Sequence, residues 1–143
     1  MAIQDILDRK GSEVFTVRPS ATVKSAADRM REHGVASLVA MSGDAITGIV
    51  SERDIMIAVS RFGEQALSKV VRDILPRTVV AIAPGDSVKH AMRLMTSHRV
   101  RQLAVITGGK LVGIVSIGDV VKHRLEDLET ESNVLRDAYI AAR

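Results

Sequence analysis

Two four-residue stretches carry groups able to hold a small polar molecule: Ser51-Glu52-Arg53-Asp54 and Ser116-Ile117-Gly118-Asp119. Each follows the same Gly-Ile-Val, beginning at Gly48 and at Gly113. A carboxylate three residues after a serine supports two chemistries. The first is local. Serine as a helix N-cap, with an acid at the third helical position, forms a capping box worth about 1 kcal/mol, and the negative charge suits the positive end of the helix dipole. The second is recognition. Free N–H groups at a helix start favour anions, and a carboxylate accepts two hydrogen bonds from a vicinal diol such as that of ribose, at roughly 1.5–3 kcal/mol each. The serine hydroxyl can donate to phosphate or sugar, and Gly48 and Gly113 leave room for a flat ring beside the strand. Sugar hydroxyls, phosphate and an apolar slot together describe a nucleoside phosphate. Spacing by itself leaves both readings open.

The elements that must position these groups are themselves duplicated. Residues 14–55 align with residues 79–120 without a gap, and 15 of the 42 positions are identical. The identities include Pro19/Pro84, Met30/Met95, His33/His98, Leu38/Leu103 and Gly43/Gly108. Upstream, Gln4-Asp5-Ile6-Leu7 echoes Arg72-Asp73-Ile74-Leu75, so the first copy holds three extra residues before its first strand. Each copy reads as strand, helix, strand, strand, helix. Short Val-rich runs closed by a proline read as strands (13–17 and 78–82). Thr22 and Ser87 are N-caps for amphipathic helices in which Val23, Ala26, Ala27 and Met30, or Val88, Ala91, Met92 and Met95, face one side. Residues 42–44 and 107–109 turn one buried strand into the next. A strand glycine marks a bulge or a close approach to the backbone, which applies to Gly48 and Gly113. A unit of about 60 residues is marginal alone, so the two copies are expected to pack sheet to sheet with approximate two-fold symmetry.

Composition narrows the function. No cysteine is present, which removes disulfides, thiolate metal sites and cysteine nucleophiles. The four histidines have no metal-ligand spacing, and the chain has no nucleophile elbow and no glycine-rich phosphate loop. Neither a catalytic residue nor a metal site is expected. His33 and His98 end equivalent helices, where a cation is favourable. The formal charge of +3 comes from Lys and Arg scattered among 17 acidic residues, with aromatics at only 2%. That pattern argues against nucleic acid and for small anions. No apolar run reaches the length of a signal peptide or membrane helix, so a cytoplasmic chain is expected, without membrane attachment.

After the second motif the pattern changes. Val121, Leu125, Leu128, Ser132, Leu135 and Tyr139 alternate spacings of four and three, a heptad seam with one polar interruption. The seam packs either on its own module or on a second copy of the chain.

The paired units ending in Gly-Ile-Val-Ser-x-x-Asp resemble tandem cystathionine-β-synthase (CBS) domains, which come in pairs called Bateman modules. The resemblance covers nearly all of residues 1–127. It implies an α/β (α+β) fold of two tandem β-α-β-β-α repeats (1–63 and 64–127) packed about a pseudo-two-fold axis, followed by a C-terminal helical extension (128–143). It also implies a non-catalytic regulatory module that binds AMP, ADP, ATP, NAD(H) or S-adenosylmethionine in clefts between the repeats. In that family the aspartate holds the ribose hydroxyls and the serine reaches phosphate, roles that fall on Asp54 and Ser51, and on Asp119 and Ser116. Adenine is placed by resemblance against Thr16, Val17, Val35, Ala36 and Ser37 in the first copy, and Ile82, Val100, Arg101 and Gln102 in the second. A basic residue at the position of Arg101 or Gln102 meets phosphate. The first copy has Ala36 and Ser37 there, so Arg53 is its expected phosphate contact. Surface exposure alone would equally account for Arg53 and Arg101. Homodimers and a separate effector protein are the implied partners, and no further domain fits in the remaining residues. The alternative is a structural or dimerisation adaptor whose clefts take no ligand.

Overall fold

The computed structural model describes residues 1–76 and 78–141. The chain opens with helix α1 (Ile3–Lys10). The first repeat then runs β1 (Thr16–Val17), α2 (Val23–His33), β2 (Ser37–Ser42), β3 (Ala45–Ser51) and α3 (Glu52–Phe62). A 3₁₀ segment, Gly63–Ser68, and the one-turn helix α4 (Val71–Ile74) lead to the second repeat. That repeat comprises β4 (Ala81–Ile82), α5 (Val88–His98), β5 (Gln102–Thr107), β6 (Lys110–Ser116) and α6 (Ile117–Ala141). The fold is mixed α/β, with two separate three-stranded sheets ordered β1-β2-β3 and β4-β5-β6.

Each sheet follows from its sequence. The central strands β2 and β5 carry three consecutive buried residues, Leu38-Val39-Ala40 and Leu103-Ala104-Val105, because both their faces are covered. The first strand of each sheet pairs with the central one in parallel over two residues, and the third pairs antiparallel over the whole hairpin. The hairpin loops are two residues long. Gly108 and Gly109 both hold positive φ, 57° and 75°, as a primed turn requires. Thr22 and Ser87 cap α2 and α5 as expected, accepting from the N–H of Ser25 at 3.1 Å and His90 at 3.0 Å.

The core divides into two clusters, one per sheet, and each is completed by the short helix that precedes the other repeat. Ile3, Ile6 and Leu7 of α1 sit in the second-repeat cluster with Leu103, Val105 and Val115. Val71, Ile74 and Leu75 sit in the first-repeat cluster with Leu38, Ala40 and Val50. Backbone bonds fasten both exchanges. The N–H of Ile3 and Gln4 donate to the C=O of Asp86 and Pro84, while the N–H of Val71 and Arg72 donate to the C=O of Ala21 and Pro19.

This exchange corrects one expectation. The space beside Gly48 and Gly113 is filled by leucine and is not free for a ring. A Cβ at Gly113 would lie 2.7 Å from Leu7 Cδ2, and a Cβ at Gly48 would lie 3.1 Å from Leu75 Cδ2. The echo between residues 4–7 and 72–75 exists because both leucines fit the same notch. Both glycines also stand at a β-bulge, where the register slips after Ala40 and after Val105.

The last helix runs 25 residues. Its seam is not covered by its own module: Leu125 is 55% exposed and Leu135 71%. Among the described residues no helix is long and apolar enough to cross a membrane.

Candidate functional site: two strand–helix junctions and their clefts

Ser51 ends β3 and Ser116 ends β6, and each caps the helix that follows. In the first copy, Asp54 Oδ2 accepts from the Ser51 N–H at 2.8 Å and from the Ser51 hydroxyl at 2.9 Å. The Asp54 N–H donates to Ser51 Oγ at 3.3 Å, closing a capping box. In the second, Asp119 Oδ2 accepts from the Ser116 N–H at 2.9 Å and the Asp119 N–H donates to Ser116 Oγ at 3.1 Å. The local reading of the motif therefore holds in both copies. It occupies only one carboxylate oxygen: Oδ1 of either aspartate has no partner among the described residues. Both aspartates are half-buried.

The turns expected to face adenine meet these junctions. Ser37 stands opposite Ser51, and Gln102 opposite Ser116. The N–H of Glu52 donates to the Ala36 C=O at 3.0 Å, and that of Ile117 to the Arg101 C=O at 2.8 Å. Val35 and Val100 are half-buried beside them. The first strands are placed differently. The side chains of Val17 and Ile82 belong to the two cores, at 8% and 4% exposure. Only their backbone remains to meet a ligand. Thr16 is half-buried, and its C=O already accepts from Arg29 Nε at 2.7 Å.

The two junctions are not equivalent. Lys10, at the end of α1, donates to Asp119 Oδ2 at 2.6 Å and to the Ile114 C=O at 2.8 Å. At the corresponding place before the second repeat stands Thr78. Burial pushes the Asp119 carboxyl up. The hydrogen bonds from Lys10 and the Ser116 N–H, with the lysine charge, outweigh it and hold the group below its ordinary 3.8. A carboxyl depressed in the folded state contributes stability that is complete above its unfolded value and is lost as pH falls through its folded value. Asp119→Asn should therefore flatten the acid limb. Between about pH 5 and pH 3 the parent should lose urea-unfolding free energy faster than the variant. Parallel curves would show that the Lys10 contact carries no linkage.

A space of about 740 Å³ opens at the second junction between Arg101, Ile117 and Gly118 and the α6 residues Val121, Glu126 and Glu129. Two smaller clefts of similar size open beside the junctions, and none of the three is lined by Ser51, Asp54, Ser116 or Asp119. One, of about 450 Å³, is lined by Arg31, Gly34, Val35, Ala36, Glu52 and Ile55. The other, of about 400 Å³, has an apolar floor of Val100, Ile117 and Val121 under Arg99 and Arg101. Arg53 lines this second cleft, reaching across from the first motif.

Three residues lay outside the sequence reading. Lys10 is 109 positions from the acid that it meets, and nothing local marks the pairing. Arg99 does carry a signal, because its counterpart is Gly34 and both hold a left-handed backbone, at φ 54° and 63°. His123 is 3% exposed with neither ring nitrogen hydrogen-bonded, and it lines a small crevice with Asp119 and Lys10. Its Nε2 lies 3.4 Å from Asp127 Oδ2. No cluster of His, Asp and Glu among the described residues is arranged to hold a metal ion.

Known proteins resemble this chain over most of its length. The model of the CBS domain matches residues 3–61 and again residues 71–126. The chain belongs to the CBS-domain family. A CBS-domain-containing protein of Agrobacterium tumefaciens superposes with a TM-score of 0.85 at 35% identity, covering 87% of this chain and 99% of that one. An uncharacterized protein of Methanopyrus kandleri is 34% identical over 77% of this chain, a match that spans 57% of its own length. A CBS-domain protein of Pyrobaculum aerophilum, solved in complex with AMP, superposes at 0.73 with 25% identity over 83% of this chain and 89% of that one. The two CBS segments begin at α1 and α4, so each holds the helix whose apolar side packs into the other segment's core.

Proposed function

We propose that this CBS pair is a non-catalytic regulatory module that binds an adenine nucleotide, AMP, ADP, ATP or NAD(H), in the clefts beside its two junctions. The observation that carries the reading is the duplicated half-buried aspartate at a helix start, with one carboxylate oxygen in each copy lacking a partner among the described residues. In this reading Asp54 and Asp119 accept the ribose hydroxyls. The Ala36–Ser37 and Arg101–Gln102 turns bound the adenine. Ser51 and Ser116 lie at the phosphate end. The AMP complex of the Pyrobaculum relative supports the choice of ligand.

Ligand binding favours whichever arrangement of the repeats binds it better, and it shifts the equilibrium by no more than that difference in affinity. A micromolar nucleotide has about 8 kcal/mol in total to draw on. An effector protein reads the shifted state. A second copy of the chain is the partner assigned to the exposed α6 seam of Val121, Leu125, Leu128 and Leu135. A structural adaptor without ligand would show the same capping boxes, since capping alone accounts for Ser-x-x-Asp.

Native mass spectrometry of the full chain titrated with AMP separates these readings. A dimer carrying AMP adducts is expected. Bare protein at every AMP concentration would leave the adaptor, and a monomer throughout would remove the second copy from the α6 seam.

A further inference from the structure

From the spacing of charges along α6 we infer that its second half pairs with α6 of a second copy as a parallel, in-register two-stranded coil, which closes the second junction and leaves the first open. This rests on the assignment of a second copy to the α6 seam above, and adds the orientation, the register and the site that is closed. The module takes one side of α6, where Val120 and His123 are buried. The seam lies on the other side, and there Val121, Leu125, Leu128, Leu135 and Tyr139 are 44% to 71% exposed. From Leu128 to Ala141 every residue is exposed. A helical stretch of that length is marginal in water by itself, so it calls for a partner along its apolar seam.

Charge assigns the orientation. With Leu125 and Ser132 at the a positions of the heptad and Leu128 and Leu135 at d, Arg124 and Glu131 fall at g, and Glu129 and Arg136 at e. Arg124 precedes Glu129 by five residues, and Glu131 precedes Arg136 by five. Residues five apart do not meet on one helix, where neighbours are three or four apart. Between parallel helices they do meet, because a g residue faces the e residue of the partner's next heptad. Both pairs are of opposite sign, and two-fold symmetry doubles them. Arg124, Glu129 and Glu131 have no hydrogen-bond or ion-pair partner among the described residues, and Arg136 donates to the neutral Asn133 at 3.2 Å. The polar seam residue agrees. In a parallel pair Ser132 meets its own counterpart in one layer, whereas an antiparallel pair of the same overlap sets each serine against Leu128 of the partner subunit.

The same pairing decides which junction is closed. The space of about 740 Å³ at the second junction is lined by Val121 and Leu125 of the seam and by Glu129. A helix seated on the seam occupies the α6 side of that space, and Arg124 of the partner subunit comes to Glu129. In-register pairing brings both second junctions to one end of the coil. The first junction has no such wall, because α3 stops at Phe62.

The chain has no cysteine, so one introduced thiol reports its own surroundings. Ser132→Cys and Thr130→Cys replace exposed side chains, the first on the seam and the second on the far side of the helix. After mild oxidation of the full chain, Ser132→Cys is expected to run as a disulfide-linked dimer and Thr130→Cys to stay largely single. Sedimentation then tests the charges. Glu129→Arg with Glu131→Arg makes every g–e pair repulsive, as does Arg124→Glu with Arg136→Glu. Each double variant should self-associate about tenfold or more weakly than the parent, and an equimolar mixture of the two should recover the parent's affinity. For closure, Ile117→Cys should react several-fold more slowly with a thiol reagent in the parent background than in the charge-reversed one, while Glu52→Cys at the first junction reacts alike in both. A dimeric parent whose Ser132→Cys form cross-links no better than Thr130→Cys, or charge variants that associate as the parent does, would overturn the parallel coil and leave a dimer of other geometry. Equal Ile117→Cys rates would overturn the closure. A parent that sediments as a monomer throughout removes the second copy as well.

Discussion

Leu7→Ala is expected to lower the unfolding free energy by about 3 kcal/mol, a large fraction of what a domain of this size possesses. Leu7 is 4% exposed and belongs to the core of the second repeat, although it lies in the first helix of the chain. Truncation removes buried methyl groups and leaves a void over Gly113. The reciprocal change, Gly113→Ala, places a methyl within 2.7 Å of Leu7 Cδ2 and forces α1 outward or the leucine off its rotamer, at about 1–3 kcal/mol. Combined, the two should partly cancel, since the new methyl enters the space that the leucine vacated. Any gain in strand propensity from replacing glycine is the same in both backgrounds and drops out of the cycle. Urea unfolding of the four proteins should give a favourable coupling of about 1 kcal/mol or more. Additivity within about 0.5 kcal/mol would mean that Leu7 is not seated on Gly113.

The second large effect concerns binding. On the proposed function, Asp54→Ala and Asp119→Ala each remove an acceptor for two sugar hydroxyls. The double variant should lose at least about a hundredfold in AMP affinity, as expected when charge-assisted bonds of 1.5–3 kcal/mol disappear. Each change also breaks a capping box, so the helix that follows loses about 1 kcal/mol of local stability. Asp54→Asn and Asp119→Asn separate the two roles. Asparagine still accepts the capping bond from the serine N–H but removes the charge, so affinity should fall while melting changes less. Calorimetry that found the double alanine variant equal to the parent would remove both aspartates from the site.

Much of the architecture was legible because duplication doubles every signal. The caps at Thr22 and Ser87, the turns at Gly43 and Gly108, and the motif glycines each appear twice at one spacing, so accident is a poor explanation for any of them. Contacts that cross between the copies were not legible. The echo of residues 4–7 in 72–75 was plain, yet periodicity says which side of a helix is apolar and not which sheet covers it. For that reason the glycines read as space for a ring, when leucines from the exchanged helices fill it. Arg53 stands in the first motif and also lines the cleft beside the second, a contact between the copies that spacing does not reveal. Lys10 meets Asp119 only because α1 docks on the second repeat, a consequence of that same exchange.

Recognition of a sugar's vicinal hydroxyls by Asp54 and Asp119 is most directly measured by comparing AMP with 2′-deoxy-AMP on the unaltered chain. Loss of one hydroxyl removes one charge-assisted bond at each aspartate, so the deoxy compound should bind about tenfold or more weakly in calorimetric titration, with unchanged stoichiometry. Equal affinities for the two nucleotides would contradict the account.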